Sequence, residues 1–387
     1  MKKEIQQCLK GIVLNIILKA KDNIDSFGGI FGGDFGSLLL LFYYAKYSKE
    51  KKYIIVAENL LKRLLDNLDN QQHSYCNGLS GILYLFEFLK DEQFIEVDLS
   101  ESIMVIDNYL LKKLDEDTNN KQNDFLHGSL GTSFYFLKID RQKVTNKYID
   151  FLYNSAKKND NIQNTFSWTM GLEKYHSRTG SDISLSHGMA SLIIFLVRTY
   201  EQEYNSYKIQ KMISTGINFI LNQEINPLKY GSYFPCFSLE KSEIPIRSRL
   251  AWCYGDLGVA TALWYAGDIM KNEVWRRKAI DIFQYSTKRL LPSDTYVSDA
   301  SICHGSAGIA MIFNRMYLNT GIPEFHVATN YWIKETLRLL EEKREPILNS
   351  DYSLLTGLSG IGLVLLSYIS NDSQSWDELF LLSYKKK

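Results

Sequence analysis

Three of the chain's five cysteines and three of its six histidines stand at two fixed distances ahead of a glycine. Cys76, Cys253 and Cys303 each lie two residues before one, and His127, His187 and His304 each lie one residue before one. Thiolate and neutral imidazole are the ligands a four-coordinate zinc ion takes, with no redox demand on the protein. Three such ligands leave a fourth position open, the arrangement of a catalytic rather than a structural zinc. Two thiolates and an imidazole cancel the ion's charge, so a substrate thiolate in the fourth position makes the complex anionic. The sulfur then stays nucleophilic while the metal draws the thiol pKa down from about 8.5. The predicted chemistry is thiol activation, not hydrolysis. Each residue alone has a packing explanation, since small cysteines and half-buried histidines are common in cores. Local spacing is no guide either, because Cys303 and His304 are adjacent and Cys253 lies far upstream. The residues themselves leave the ligand set open among six candidates.

The glycines that mark these positions belong to a repeat. "FGGDFGSLLLLFYYA", "CNGLSGILYLFEFL", "LHGSLGTSFYFL", "SHGMASLIIFL", "CYGDLGVATALWYA", "CHGSAGIAMIF" and "LTGLSGIGLVLLSY" share one grammar, a G-x-x-G or a close relative followed by a mostly apolar helix. The leading glycines are Gly33, Gly78, Gly128, Gly188, Gly255, Gly305 and Gly357, a recurrence expected of stacked helical hairpins. Between copies run two-faced helices, predicted over 57–68, 144–158 and 275–291, with apolar residues recurring at three and four. An apolar helix paired with a two-faced one is best buried as an inner layer under an outer layer. The expected fold is all-α, an α/α toroid of about seven inner and seven outer helices in a single domain over 1–387, with an open superhelix as the alternative. In a toroid the inner N-termini converge on one rim, where the absence of a Cβ permits close backbone approach and the helix dipoles favour an anion. Long polar connections at about 159–186 and 222–248 interrupt the rhythm and are expected to face substrate.

Composition fits this frame. Apolar residues make up 45% of 387 and aromatics 13%, which suffices for a large core. Forty-four basic and 44 acidic residues cancel, so the whole-chain field gives no reason to expect nucleic acid as a partner. A first helix is predicted from Ile5 to Lys21, with no signal-peptide pattern. The longest apolar runs, such as "SLLLLFYYA", are too short to span a bilayer. Five cysteines, an odd number without an export signal, argue against a disulfide framework. The expected location is the cytoplasm.

"WCYGDLG", "CHGSAG" and "LSHGM", set in the sevenfold glycine–helix pattern along essentially the entire chain, resemble the lanthionine synthetase cyclases of the LanC-like family. That resemblance implies an α/α toroid around one Zn2+ with Cys253, Cys303 and His304 as ligands. It implies intramolecular Michael addition of peptide cysteine thiols to dehydroalanine or dehydrobutyrine, forming the thioether rings of a lantibiotic-type peptide. His187 matches the family's non-ligand histidine and is the candidate acid/base. Asp124, in "NDFLHGSLG", matches its acidic residue, while Arg249 and Tyr254 match flanking positions. Arg249 is expected to pair with Asp124 or to steady the enolate, and Tyr254 to act from behind the ligands. Ser191 stands where the family often has a second glycine, and Cys76 and His127 occupy the two columns as extras. A stand-alone toroid further implies a dehydrated lanthipeptide precursor as substrate. It also implies a separate dehydratase and an ABC exporter as partners in a complex at the inner face of the membrane. Two other readings compete. One is a non-catalytic LanC-like protein that binds thiol peptides or glutathione. The other is a zinc-dependent prenyltransferase-like subunit, which predicts an aspartate ligand and an obligate helical partner.

Overall fold

A computed structural model describes residues 1–21, 28–66, 68, 72–96, 100–158, 164–170, 181–202, 204, 207–239, 245–342, 351–370 and 374–383. Its first eight helices are α1 (Lys2–Lys21), α2 (Phe35–Ser48), α3 (Lys51–Leu65), α4 (Leu79–Asp91), α5 (Ser100–Asn119), α6 (Ser129–Lys138), α7 (Gln142–Ser155) and α8 (Met189–Glu201). Then come α9 (Tyr207–Leu221), α10 (Pro227–Tyr230), α11 (Asp256–Ile269), α12 (Glu273–Ser286), α13 (Pro292–Thr295), α14 (Ser306–Thr320), α15 (Pro323–Glu342) and α16 (Leu358–Ile369). The strands among the described residues are β1 (Lys157–Lys158) and β2 (Phe166–Ser167), paired antiparallel. The chain forms two compact units, one of Met1–Ile106 with Ser298–Ser383, the other centred on Asp107–Val297.

In the first unit α2, α14 and α16 are buried on nearly every face for most of their length, as their apolar sequences require. Their partners are two-faced. The buried residues of α3 are Tyr53, Ala57, Leu60, Leu61 and Leu64, the spacing of one helical stripe. α2 packs on α3, and α14 on α15. The last apolar helix, α16, has no outer helix after it in sequence, and α1 packs against it instead. The second unit repeats the scheme, with α6, α8 and α11 buried and α7, α9 and α12 packed on them in turn. Among the described residues the expectation of seven nearly all-apolar helices (α2, α4, α6, α8, α11, α14, α16) alternating with seven two-faced ones holds, α1 being the seventh of the latter.

The boundaries differ where local chemistry intervenes. α1 begins three residues earlier than Ile5. The helix predicted to reach residue 158 stops at Ser155, because Lys157 and Lys158 pair with Phe166 and Ser167 as a short ladder. The connection 222–248 is not wholly irregular: Asn226 caps the single turn α10, and Pro235 bridges to Arg247. Residues 159–163, 171–180 and 240–244 of the two long connections lie outside the described residues.

Six of the seven leading glycines are the N-cap residues of an apolar helix; for α2 the N-cap lies one residue later, at Asp34. The reason is close approach. The first N–H of α4, on Leu79, donates to the Gln72 carbonyl at 2.7 Å, and a Cβ on Gly78 would stand 2.1 Å from that same oxygen. Backbone bonds also tie several of these turns together at, or next to, the position two before the glycine. In the first unit Cys303 N–H donates to Leu355 O, Leu355 N–H to Phe31 O and Phe31 N–H to Cys76 O, each at 3.0 Å. In the second, Leu185 and Ser186 N–H both donate to Cys253 O at 3.2 Å. The cysteine column of the sequence is thus a run of hydrogen-bonded neighbours within each unit.

Candidate metal centre and acid/base pair

Cys253 ends the turn that starts α11, and this turn has a backbone unlike the others. Gly255 adopts φ +94°, a conformation L side chains rarely take, and an added Cβ there would meet Arg249 O at 2.5 Å. Behind it, Asp256 is fully buried and accepts hydrogen bonds from Tyr233 N–H (3.1 Å) and Phe234 N–H (2.9 Å) of the 222–248 connection. Arg289 donates to Asp256 at 3.2 Å and to the carbonyls of Ser248 and Asp294, so one buried ion pair anchors both sides of the cysteine turn.

Cys303 and His304 sit in the turn before α14. Asp299 orders that turn: its Oδ1 accepts the Ser301 N–H at 2.8 Å, and its Oδ2 lies 3.1 Å from His304 Nε2. Burial disfavours the Asp299 carboxylate, but the bonds from His304 and Ser301 outweigh it and hold its pKa well below the usual range. With Nε2 committed to Asp299, Nδ1 is the nitrogen His304 presents to a metal, the arrangement in which a carboxylate fixes the tautomer and aim of a ligating histidine.

One ligand atom from each of Cys253, Cys303 and His304 lies within 4.8 Å of the other two. Sulfurs on one tetrahedral zinc stand about 3.8 Å apart when each Zn–S bond is about 2.3 Å. The donor set and its spacing therefore fit a single ion, and the soft thiolates favour zinc over calcium or magnesium. Among the described residues no other group of three or more His, Cys, Asp or Glu side chains is so placed, and Cys76 and His127 are not members of this one.

The second constellation lies in the Asp107–Val297 unit. His187 Nδ1 is 2.6 Å from Asp124 Oδ2, and Asp124 Oδ1 accepts the His127 N–H at 2.6 Å. Asp124 therefore spends both oxygens on the two histidine turns. Burial opposes a charged His187 ring, but the hydrogen bond and charge of Asp124, with the charges of Asp182 and Cys253, overcome it and raise the pKa. His127 is stacked on it at 5.8 Å between ring centroids, and there burial prevails and the pKa falls. Two neighbouring imidazoles are thus driven apart, one towards the cation and one towards the neutral ring. The Tyr254 ring lies 6.0 Å from that of His187 and 5.8 Å from that of Phe237. Burial, then the charges of Asp182, Cys253, Asp124 and Cys236, raises its pKa and keeps the phenol protonated.

Arg249 departs from one expectation. It makes no ion pair with Asp124, whose second oxygen is taken by His187, and its half-buried side chain has no hydrogen-bond partner among the described residues. Ser191 resolves another: its hydroxyl folds back onto the Gly188 carbonyl at 2.8 Å, so the larger residue is accommodated within the first turn of α8. Sequence reasoning missed Asp182 and Asp299. Both belong to a D-x-S motif ahead of the glycine, in "DISLSHG", "DASICHG" and "DYSLLTG", which would have identified them.

Comparison with known proteins identifies the fold and the family. The structure superposes on nisin cyclase with a TM-score of 0.79 and 19% identity, over 98% of each chain, so the fold is the α/α toroid of that protein. In sequence the chain is 25% identical to the nisin biosynthesis protein NisC of Lactococcus lactis subsp. lactis, over 90% of this chain and 87% of that one. Residues 30–381 match the family described as lanthionine synthetase C-like protein, and to that family the chain belongs.

Proposed function

We propose that residues 1–387 act as one lanthipeptide cyclase domain that joins cysteine thiols to dehydroalanine or dehydrobutyrine of the same peptide. The observation that carries this reading is the Cys253, Cys303 and His304 cluster, a thiolate-rich donor set suited to sulfur chemistry. Zinc held there would supply a lowered thiol pKa and a sulfur that remains nucleophilic. In the addition a C–S bond forms as the C=C π bond breaks, the thiol loses its proton and the α-carbon gains one, so no oxidant or reductant is needed.

The chain's own residues handle the protons. His187, held through Nδ1 by Asp124, keeps Nε2 for transfer. Its pKa is raised, which favours the imidazolium more than in a free ring, and in this reading it is the acid that protonates the enolate carbon. The N–H pair of electrons stays on the nitrogen, and the neutral ring can then take the proton of the next thiol. Arg249, with no carboxylate partner among the described residues, is placed in this reading as the cation that steadies the enolate oxygen. Tyr254 supports the His187 ring from beside it. The long connections at about 159–186 and 222–248 are assigned to the substrate side.

The dehydrated precursor would come from a separate dehydratase and pass to an ABC exporter, which places the protein in the cytoplasm at the inner face of the membrane. No described helix is long and apolar enough to cross a membrane itself. The test is to incubate the zinc-loaded protein with a dehydrated, cysteine-containing precursor and count remaining thiols by alkylation and mass spectrometry. Loss of thiols without loss of mass supports the reading. Thiols that persist on a peptide that binds would instead make the protein a thiol-peptide binder.

A further inference from the structure

The D-x-S motif stands ahead of three of the leading glycines, with one geometry and one exception. In each copy the aspartate Oδ1 accepts the serine N–H: Asp182 from Ser184 at 2.7 Å, Asp299 from Ser301 at 2.8 Å, Asp351 from Ser353 at 2.7 Å. In two copies the other oxygen takes the side chain that immediately precedes the glycine. Asp299 Oδ2 lies 3.1 Å from His304 Nε2, and Asp351 Oδ2 accepts the Thr356 hydroxyl at 2.5 Å. The third copy has the histidine in place, His187, but its ring is turned onto Asp124 through Nδ1. Among the described residues Asp182 Oδ2 is buried with no hydrogen-bond partner, in a residue only 7% exposed. A buried carboxylate oxygen without a donor costs free energy, and native proteins rarely keep one without a use.

We propose that Asp182 is a second carboxylate partner of His187, built to take the ring's Nε2–H when the ring leaves Asp124, and so a positioning residue for the acid/base group. The role rests on the acid/base reading of His187. The acceptor need not be created by any backbone movement, because the same turn already delivers the same bond at His304 and at Thr356. A histidine that must approach an enolate carbon and then collect a thiol proton has to turn its ring between two directions. A carboxylate at each end holds it in discrete positions rather than leaving it to rotate freely. The other groups that act on His187 are His127, Tyr254 and Cys253, and none of these presents a second carboxylate. The charge of Asp182 already favours the His187 cation at its present distance.

The experiment uses the full zinc-loaded chain with 15N-labelled histidine, in wild type, Asp124→Asn, Asp182→Asn and the double variant. With Asp124 neutralised, the His187 ring should pass to Asp182. Its nitrogen shifts should then report a hydrogen-bonded Nε2–H, and its titration midpoint should stay above about 6.5. Adding Asp182→Asn should abolish that signature and lower the midpoint by about one pH unit. In the wild-type background Asp182→Asn should lower kcat for the precursor several-fold with little change in KM. Identical His187 shifts and midpoints in Asp124→Asn and the double variant overturn the proposal. Asparagine keeps an Oδ1 acceptor for the Ser184 N–H; if that variant does not fold, Asp182→Ser supplies a short acceptor in the same turn. The nitrogen shifts do not depend on turnover, so a protein that shows the switch yet forms no rings would keep this inference and lose the cyclase reading.

Discussion

At the scale of single residues, the pairing of Asp124 with His187 decides the pH behaviour. The His187 pKa is raised because Asp124, Asp182 and Cys253 outweigh the cost of burial. A raised histidine pKa contributes stability that is fully present below the unfolded value of about 6.5 and is lost as pH rises through the folded value. The same sign governs catalysis by an acid: kcat/KM for ring closure should fall on the alkaline side as His187 loses its proton. Asp124→Asn removes the largest favourable contribution, so that alkaline limb should move to lower pH and turnover at neutral pH should drop by roughly 10²-fold or more. A pH–rate profile of the two proteins checks it, and an unmoved limb would assign the acid elsewhere. The sequence alone could place Asp124 and His187 on like turns through resemblance, but not in contact, because a separation of 63 positions carries no local spacing signal. For the same reason it offered Arg249 as a partner for Asp124, a pairing the His187 bond pre-empts. Asp182 lay within reach of sequence reasoning, since its motif stands ahead of three of the leading glycines, but a motif that orders a turn does not announce that one of its copies is left unsatisfied.

At the scale of elements, the glycine turns were the readable part, because a Cβ has nowhere to go in them and the sequence must record that. The two-faced helices were read with less precision at their ends, where pairing between neighbours decides: 144–158 was expected and Gln142–Ser155 found, since the ladder with Phe166–Ser167 competes for the last residues. Two glycines show how far position matters. Gly255 combines φ +94° with a Cβ site 2.5 Å from Arg249 O, so Gly255→Ala should destabilise by about 1–3 kcal/mol and shift the Cys253 turn it follows. Gly11 lies mid-helix in α1 with nothing within 4 Å of its Cβ site, so Gly11→Ala should stabilise by about 0.5–1 kcal/mol. Denaturant midpoints of both variants, with bound zinc measured alongside, check the pair. Loss of zinc is expected in Gly255→Ala only. The buried Asp256 and Arg289 pair works on the same turn from behind, fixing the Tyr233–Phe234 segment against the start of α11.

At the scale of the whole molecule, the proposed metal centre would couple folding to zinc. Cys253 is remote in sequence from Cys303 and His304, so an unfolded chain presents at most the adjacent pair, and affinity for the ion belongs mainly to the native state. An ion bound only by the native state stabilises it by about 2.7 kcal/mol when free zinc is a hundredfold above Kd. For a chain of this length that corresponds to a Tm shift of roughly 2–6 °C. Chelation should therefore lower the melting temperature by a few degrees, zinc should restore it, and magnesium, which demands oxygen ligands, should not. Cys303→Ala supplies the control: it should bind well under one zinc per chain and melt at the chelated temperature with or without added metal. A variant that keeps full zinc would remove Cys303 from the ligand set. A wild-type protein that releases zinc with no change in Tm would show that the three donors are held in place by the turns alone. The hydrogen-bonded run through Cys303, Leu355, Phe31 and Cys76 and the bonds onto Cys253 O already pre-organise those turns, which is why the expected shift is a few degrees and not the loss of the fold.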